Sequence, residues 1–338
     1  MNMWMVMLGA LAALCSMGKG ESLSVSPGEA IQPALDKVAG SGGTVLLGAG
    51  IHPITQALQM ASGITLAGHG PGTVLMCDPS VLGQAIGTST DDLHDVTIRD
   101  LTLVGPGDPA KMTTPPEGYE GPGPMGIFVN SPTGAFRDLR LLRLRITRFE
   151  SMGVHLKGVD GLLIEGCDFD RTAAFNGLYH NVYLRRVKHA RIVGCLSRNN
   201  PVGNGLQVSF SEDVTITGNY CIGNAGHGIR VAETRRAVIE GNRVRDNRGG
   251  AGIWLNTEKS VGCRQFTLKG NHVTGNANAG IAVQNTSDSL VEGNIVLDNG
   301  VDFLLRNAFR VTLRGNRYRT WEEQKENRVT MQGNEVLP

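Results

Sequence analysis

Polar and aromatic side chains recur around one motif, Gly-Ile-x-Val and its close variants, in the middle of this sequence. Three series stand at fixed places: between the two apolar positions of the motif, two residues further on, and just before the motif glycine. The first series is Phe128, His155, Tyr183, Gln207, Arg230, Trp254 and Ala282. The second is Asn130, Lys157, Arg185, Ser209, Ala232, Asn256 and Gln284. The third is Met152, His180, Asn204, His227, Ala251 and Ala279.

Cations, imidazoles and a phenol are concentrated in a few of these repeats, a combination that suits proton abstraction from a uronic acid. Elimination from such a sugar, or its epimerisation, requires that the carboxylate be neutralised so that the C5 proton becomes acidic. It also requires a base and, for elimination, an acid at the leaving oxygen. Arg185 or Arg230 could bind the carboxylate, and Tyr183 or His180 could take or return protons. We predict these four residues as catalytic.

Other members of the three series are candidates for binding a sugar chain. Phe128 and Trp254 could stack on sugar rings, and Gln207 could help to bind the carboxylate. Each side chain also has a purely structural interpretation, such as a solvated cation or a histidine that bonds a turn carbonyl. The predicted substrate-binding residues are His155, Lys157, Gln207, His227, Trp254 and Asn256.

The elements that position these residues follow from a repeat. A Gly-Asn pair closes each copy, as at Gly218-Asn219 and Gly241-Asn242, and the copies are spaced by about 23 residues. Apolar residues alternate with period two inside each copy, which indicates strands with one face buried rather than paired helices. The sequence therefore predicts an all-β fold, a single-stranded parallel β-helix (solenoid). Its winding should be right-handed, as parallel β crossovers almost always are.

Two columns of asparagines accompany the repeat, and both are expected to form side-chain ladders between coils. The first column runs Asn219, Asn242, Asn271, Asn294, Asn316, and the second runs Asn200, Asn224, Asn247, Asn276, Asn299. Cys167 and Cys195 occupy the first column further upstream. We expect these two cysteines to stack as small buried residues rather than to form a disulfide.

The segment before the repeats contains a candidate cap and carries a resemblance. Residues 28–38 have the pattern of a short amphipathic helix that would cover the open end of the solenoid. The opening AIQPALDKVAGSGGTVLLGAGIHPI through SGITLAGHGPGTVL resembles the entry segment of the pectate-lyase-like superfamily. With the repeats, this resemblance covers about residues 27 to 334. It implies the fold more strongly than a reaction, since that superfamily includes lyases, hydrolases, epimerases and phage tailspikes.

The ends of the chain suggest export and one solenoid domain. Residues 1–20 contain an apolar run typical of a signal peptide, and residues 21–338 form the predicted β-helix domain. A Pro/Gly-rich loop is inserted at 105–125, and 317–338 are expected to form a C-terminal cap. We expect a secreted or periplasmic protein, with a lipid anchor at Cys15 as the less favoured alternative.

Composition narrows the range of partners. Lys and Arg number 32 against 31 Asp and Glu, so the overall charge gives no attraction for nucleic acid. The cysteines lack both a disulfide framework and metal-ligand spacing. We therefore expect no cofactor; Ca²⁺ is possible, but no acids in the first two series support it. The expected partner is an acidic polysaccharide, with no membrane span, and the protein is expected to be a monomer.

Three functions are compatible with these residues. The favoured one is a lyase that cleaves a uronic-acid-containing polysaccharide by β-elimination. The second is a hydrolase of the polygalacturonase type, because Gly226-His227-Gly228 resembles an element of those enzymes. Hydrolysis normally needs two carboxyl groups, and Asp168, Asp170, Glu233 and Glu258 are the available ones. The third is a non-catalytic solenoid that binds carbohydrate or serves a structural role.

Overall fold

Parallel strands make up nearly all of the regular structure. The computed structural model describes residues 20–88, 90–107, 123–173, 178–257 and 262–338. Most strands pair in parallel with the strand three places later in the chain, so three strands complete one coil. The predicted right-handed parallel β-helix is confirmed. The predicted signal peptide lies outside the described residues except for Gly20, and the predicted loop at 105–125 is described only at its two ends.

One short helix and 34 strands follow one another along the chain. Up to residue 173 they are β1 (Glu21–Val25), α1 (Gln32–Val38), β2 (Gly43–Leu47), β3 (Gly50–Ile54), β4 (Leu58–Met60), β5 (Ile64–Ala67), β6 (Thr73–Cys77), β7 (Gln84–Thr88), β8 (His94–Arg99), β9 (Thr102–Val104), β10 (Met125–Asn130), β11 (Phe136–Leu142), β12 (Arg145–Thr147), β13 (Val154–Lys157), β14 (Val159–Glu165) and β15 (Asp168–Asp170). From residue 178 they are β16 (Val182–Arg185), β17 (Lys188–Val193), β18 (Leu196–Arg198), β19 (Leu206–Ser209), β20 (Glu212–Thr217), β21 (Tyr220–Ile222), β22 (Ile229–Ala232), β23 (Arg235–Glu240), β24 (Arg243–Arg245), β25 (Ile253–Asn256), β26 (Cys263–Lys269), β27 (His272–Thr274), β28 (Ala279–Glu292), β29 (Ile295–Leu297), β30 (Val301–Arg314), β31 (Arg317–Tyr318), β32 (Trp321–Gln324), β33 (Arg328–Gln332) and β34 (Glu335–Val336). These counts cover the described ranges alone.

The strands stack into three faces. The first face contains β4, β7, β10, β13, β16, β19, β22, β25, the first parts of β28 and β30, and β32. The second face contains β1, β2, β5, β8, β11, β14, β17, β20, β23, β26, the later parts of β28 and β30, and β33. The third face is a separate ladder from β3 to β34. Inward side chains from all three faces form one continuous core.

The glycine of the Gly-Ile-x-Val motif faces a filled interior. A Cβ at Gly228 would lie 2.3 Å from Val244 Cγ1, and one at Gly280 would lie 2.3 Å from Val296 Cγ1. A side chain at either of these two positions would displace packed neighbours, so glycine is favoured there. Asn181 and Asp302 occupy the equivalent position in two coils, and both side chains bond to the second asparagine column instead.

Both predicted asparagine ladders are present. Asn219 Nδ2 donates to Asn242 Oδ1 at 3.0 Å, and Asn242 Nδ2 repeats the contact with Asn271 Oδ1 at 2.9 Å. The second ladder repeats the pattern, with Asn224 Nδ2 donating to Asn247 Oδ1 at 2.9 Å. Cys167 and Cys195 are buried and free, as expected.

The ends of the solenoid differ from the prediction in detail. The predicted helix at residues 28–38 is present only as α1, which begins at Gln32, since Gly28 has a φ of +90° that an α-helix cannot hold. Leu35 and Val38 of this helix are buried in the core. Residues 317–338, the predicted C-terminal cap, pair with the preceding coil through β31 to β34 and are mostly exposed. Among the described residues, no helix is long and apolar enough to cross a membrane.

Candidate functional site

The outer surface of the first face brings the sequence series into register. Strand pairing makes Phe128, His155, Tyr183, Gln207, Arg230, Trp254 and Ala282 direct neighbours on successive strands. The second series is likewise continuous from Asn130 to Asn256. Adjacent parallel strands lie about 4.8 Å apart, so each series is a column of side chains with that spacing.

Tyr183 lies at the centre of these contacts. Its ring stacks on His155, with the centroids 5.0 Å apart and an interplanar angle of 21°. The ring of His180 meets it edge-on at 5.5 Å. Phe128 extends the row, 5.2 Å from His155. Three sequence-predicted residues, His155, His180 and Tyr183, therefore form one cluster that comes from two coils.

Arg185 brings a positive charge to the phenol. Its Nη1 donates to the Tyr183 hydroxyl oxygen at 2.9 Å, and both side chains come from β16. Because the oxygen accepts from the guanidinium, its own proton must point elsewhere. The Arg185 guanidinium also lies over the ring of Phe210, 4.3 Å from the centroid. Lys157 is the strand neighbour of Arg185 and adds a second cation.

His180 is held by the backbone of the next coil. The Asn204 backbone N–H donates to His180 Nδ1 at 3.1 Å, so a neutral ring carries its proton on Nε2. In that tautomer Nδ1 is the acceptor and Nε2 is the donor. His180 is only 3% exposed. This geometry holds the ring of His180 in place beside Tyr183.

A second group lies two coils further along. His227 Nδ1 accepts from the Ala251 backbone N–H at 2.8 Å, and its ring lies 4.4 Å from that of Trp254. The Arg230 guanidinium lies 4.9 Å from the Trp254 ring centroid. Gln207 separates Arg230 from Tyr183 in the column, so the two backbones are about 9.6 Å apart. The structure thus places the Arg185 guanidinium at the phenol.

Some predicted binding residues face outward but are buried. Gln207 is 3% exposed; its Oε1 accepts from Asn204 Nδ2 at 2.7 Å, and its Nε2 donates to Ser209 Oγ at 3.3 Å. Asn256 is 4% exposed, and its Nδ2 donates to the Thr257 carbonyl. In this structure neither amide is presented on the surface.

Asn204 is a site residue to which the sequence assigned no role. Its side-chain oxygen accepts from the His227 backbone N–H at 2.7 Å, while its amide holds Gln207 and its backbone holds His180. It therefore links three coils of the cluster. The available signal was its place between His180 and His227 in the third series, where an amide can serve both neighbours.

Asn181 and Phe210 were also missed. Asn181 anchors the chain beside His180, because its amide donates to Ser197 Oγ and Asn224 Oδ1 at the end of the second ladder. Its signal was an Asn in the place of the motif glycine. Phe210 lies in a turn with a φ of +53°, and no pattern placed it under Arg185.

Burial and neighbouring cations keep His155, His180 and His227 neutral. Burial lowers the pKa of His180 to about 3, with Arg230 as a further cause. Burial lowers the pKa of His155 to about 4, aided by Lys157 and Arg185. The pKa of His227 falls to about 4 for the same reason, with Arg230 adding to it. At neutral pH these rings are therefore uncharged hydrogen-bonding groups.

Stability should fall in mild acid for this reason. An unfolded histidine has a pKa of about 6.5, so between about pH 4 and 6.5 the unfolded chain binds protons that the folded chain excludes. The free energy of unfolding therefore rises with pH through this window and levels off above it. Each of these three histidines should lower the free energy of unfolding by about 2 kcal/mol at pH 5 relative to pH 7. Urea unfolding at the two pH values measures the difference.

His180→Gln tests the assignment because glutamine does not titrate. Its pH dependence between 5 and 7 should be shallower than that of the unchanged protein, whatever its absolute stability. His272→Gln, at an exposed position on the third face, is the matched control and should keep the full dependence. An unaltered pH dependence in His180→Gln would contradict the burial argument.

The ring nitrogens of His155 lack partners. Both are buried and neither has a hydrogen bond within the described part of the chain. An unsatisfied buried polar group costs about 1–3 kcal/mol, so such groups are uncommon in folded proteins. The ring that carries these unsatisfied nitrogens stacks directly on Tyr183.

The carboxylates considered for hydrolysis lie elsewhere. Asp168 and Asp170 are on β15 of the third face, and Asp168 accepts two hydrogen bonds from Arg198, at 3.2 and 3.0 Å. Glu233 accepts from Thr257 Oγ1 at 2.8 Å in the turn after β22. Glu258 lies outside the described residues. Within the described ranges, no three His, Cys, Asp or Glu side chains are grouped closely enough to hold a metal ion.

Comparisons with known proteins agree with this architecture. The family model described as "Right handed beta helix region" matches residues 126–296, just over half of the chain. No curated protein matches the sequence. Three of the solved structures that are similar to this chain align with it over most of their length. Their low identities show a shared fold alone.

The first is the A-module of the mannuronan C-5 epimerase AlgE6 from Azotobacter vinelandii, with 17% identity, a TM-score of 0.62, and coverage of 91% of this chain and 94% of that chain. The surface adhesin PfbA of Streptococcus pneumoniae has 13% identity, a TM-score of 0.69, and coverage of 94% and 91%. DFA-IIIase from Arthrobacter chlorophenolicus A6 has 13% identity, a TM-score of 0.63, and coverage of 86% and 83%. From its three-strand coils, its asparagine ladders and the family match, the chain belongs to the right-handed β-helix family.

Proposed function

We propose that this protein is an exported polysaccharide lyase that cleaves a uronic-acid-containing chain by β-elimination on the outer surface of the first face. One observation carries the proposal: Arg185 donates to the phenol oxygen of Tyr183 at 2.9 Å, at the centre of a cationic cluster. A guanidinium there serves two purposes. It stabilises negative charge that develops on the phenol oxygen, and a guanidinium is a group suited to bind a sugar carboxylate.

The reaction assigns the proton to Tyr183. Its ionised oxygen takes the C5 proton; the C5–H bond and the C4–O bond break, and a C4=C5 double bond forms. The same proton then passes to the departing glycosidic oxygen, which leaves as a hydroxyl. Arg185 neutralises the sugar carboxylate, which makes C5–H acidic enough to be removed.

The surrounding residues orient this pair. His155 stacks on one side of the Tyr183 ring, and His180 holds its edge. Both rings are neutral at pH 7, so they do not compete with Arg185 for a carboxylate. Arg230 and Trp254, two and three coils away, are suited to the neighbouring sugar unit as cation and stacking platform.

The other two hypotheses have less support. Hydrolysis needs a pair of carboxyl groups flanking the bond, and the described candidates are engaged on the third face or in a turn. A solenoid that only binds carbohydrate would not need a phenol and a guanidinium in contact. Export is part of the proposal, on the strength of the apolar run in residues 1–20.

The test is the ultraviolet absorbance of unsaturated uronates during incubation with a panel of acidic polysaccharides. A rise on at least one polymer supports the lyase. Release of reducing ends without that absorbance would identify a hydrolase instead. If neither assay gives a signal and the protein still binds the polymer, the protein is a carbohydrate-binding solenoid.

Arg185→Ala should lower kcat/KM by about 10²–10³, the loss typical of removing one preorganised charge stabiliser. Arg185→Lys should recover little, since an ammonium cannot bond the phenol and a carboxylate with the same fork. Arg191→Ala is the matched control, because Arg191 is an exposed cation on the second face. Equal activity of Arg185→Ala and Arg191→Ala would remove Arg185 from the mechanism.

A further inference from the structure

A cavity opens on the flank of the solenoid, beside the candidate site. It has a volume of about 410 Å³ and follows the turns between the first and second faces. Its lining comes from four successive coils: Arg186, Val187, Lys188, Phe210, Ser211, Glu212, Glu233, Thr234, Arg235, Gly262 and Arg264. None of the predicted site residues lines this cavity.

Phe210 connects the cavity to the site. It lines the cavity and also contacts the Arg185 guanidinium, which lies 4.3 Å from its ring centroid. Arg185 in turn bonds Tyr183. A sugar unit leaving the Tyr183–Arg185 pair across this turn would meet the Phe210 ring, a surface on which a pyranose can stack.

The cavity carries an excess of positive charge. Glu212 is already neutralised by ion pairs with Arg235 and Arg236, and Glu233 accepts a hydrogen bond from Thr257. Three further cations at the rim form no ion pair with a carboxylate among the described residues, and a group of this kind favours an anionic ligand. They are Arg186, Lys188 and Arg264.

Beyond Trp254 the first and third series of the first face become apolar, whereas the second series continues with Gln284 and Arg306. Ala251, Ala279 and Ala282 are 1–3% exposed and pack against Trp254, Val301 and Leu304. Aliphatic side chains provide no donor for a carboxylate, which would lose its hydration without compensation there.

We propose that this flank cavity is a further subsite of the same polymer, and that it binds a uronate unit through Arg186, Lys188 and Arg264 while the ring of that unit stacks on Phe210. The inference rests on the proposed function, because it assumes a polyuronate at Tyr183. The bound chain then crosses the turn at Phe210 instead of following the solenoid axis in both directions.

The experiment measures oligouronate binding by calorimetry in a Tyr183→Phe background, so that the ligand stays intact. A trisaccharide and an octasaccharide of the polymer are compared. Arg186→Gln and Arg264→Gln should each weaken octasaccharide binding by roughly tenfold, the effect of one lost charge-assisted contact. In both variants the affinity for the octasaccharide should exceed that for the trisaccharide by less than it does in the parent protein. Glutamine keeps a long polar side chain, so the turn at Arg186 is little disturbed.

Arg243→Gln, an exposed cation on the third face, is the matched control and should leave octasaccharide binding unchanged. If the long oligomer binds the parent protein and all three variants equally, the flank subsite is wrong while the proposed function stands. If the parent protein binds no oligouronate of either length, the proposed function fails and this inference falls with it.

Discussion

Tyr183→Phe should reduce kcat for elimination by about 10²–10⁴, the usual contribution of a positioned acid–base group. The substitution removes one oxygen and keeps the ring, so the stack on His155 and the edge contact with His180 remain. Arg185 loses its phenol partner but keeps its contact with Phe210. Affinity for the polymer should therefore change little, and the loss should appear in kcat.

Tyr220→Phe is the matched control. Tyr220 lies on β21 of the third face and also has an arginine near its ring, with Arg245 5.6 Å from the centroid. It should retain full activity. The kinetics are followed by the absorbance of the unsaturated product, with binding measured separately. Tyr183→Phe with normal kcat would show that another group moves the proton.

Asn242→Ala should have the largest effect on stability. The Asn242 amide donates to Ile216 O and Asn271 Oδ1, both at 2.9 Å. Its oxygen accepts from the backbone and side chain of Asn219 at 2.9 and 3.0 Å. The side chain is fully buried, so alanine leaves several polar groups without partners or water. We expect a loss of about 3–5 kcal/mol in the free energy of unfolding.

Asn334→Ala provides the comparison at the end of the same ladder. Asn334 makes equivalent contacts to Asn316 and Leu313, but it is partly exposed. Water can replace its bonds, so the expected loss is about 1 kcal/mol. Urea unfolding of both variants at pH 7 measures the difference. Equal losses would mean that ladder asparagines act through local turns rather than through buried bonds between coils.

Much of the architecture could be predicted because a solenoid repeats a local rule. Alternation with period two determines which residues of a strand point outward, and a near-constant repeat length brings the same position together on neighbouring coils. The register of the column from Phe128 to Ala282 and both asparagine ladders follow from this. The starting residue of α1 did not, because an end coil has fewer repeat contacts to constrain it.

The site itself was only partly predictable. The sequence placed His155, Tyr183 and Arg185 on adjacent strands, and the structure brings them into contact. It could not show that outward-facing Gln207 is buried and bonded to Asn204. Burial of an outward side chain depends on the size and conformation of its neighbours on other coils, which periodicity does not encode.

The amino-acid sequence alone determined the fold class, the coil repeat, the ladders and the identity of the outward columns, since each depends on short-range alternation and regular spacing. Tertiary structure alone decided the tautomer of His180 and the hydrogen bond from Arg185 to Tyr183. It also decided the position of Phe210 between the candidate site and the flank cavity. These features depend on side-chain conformations and on turns whose geometry is set by packing between coils, so they exist only once the coils are stacked.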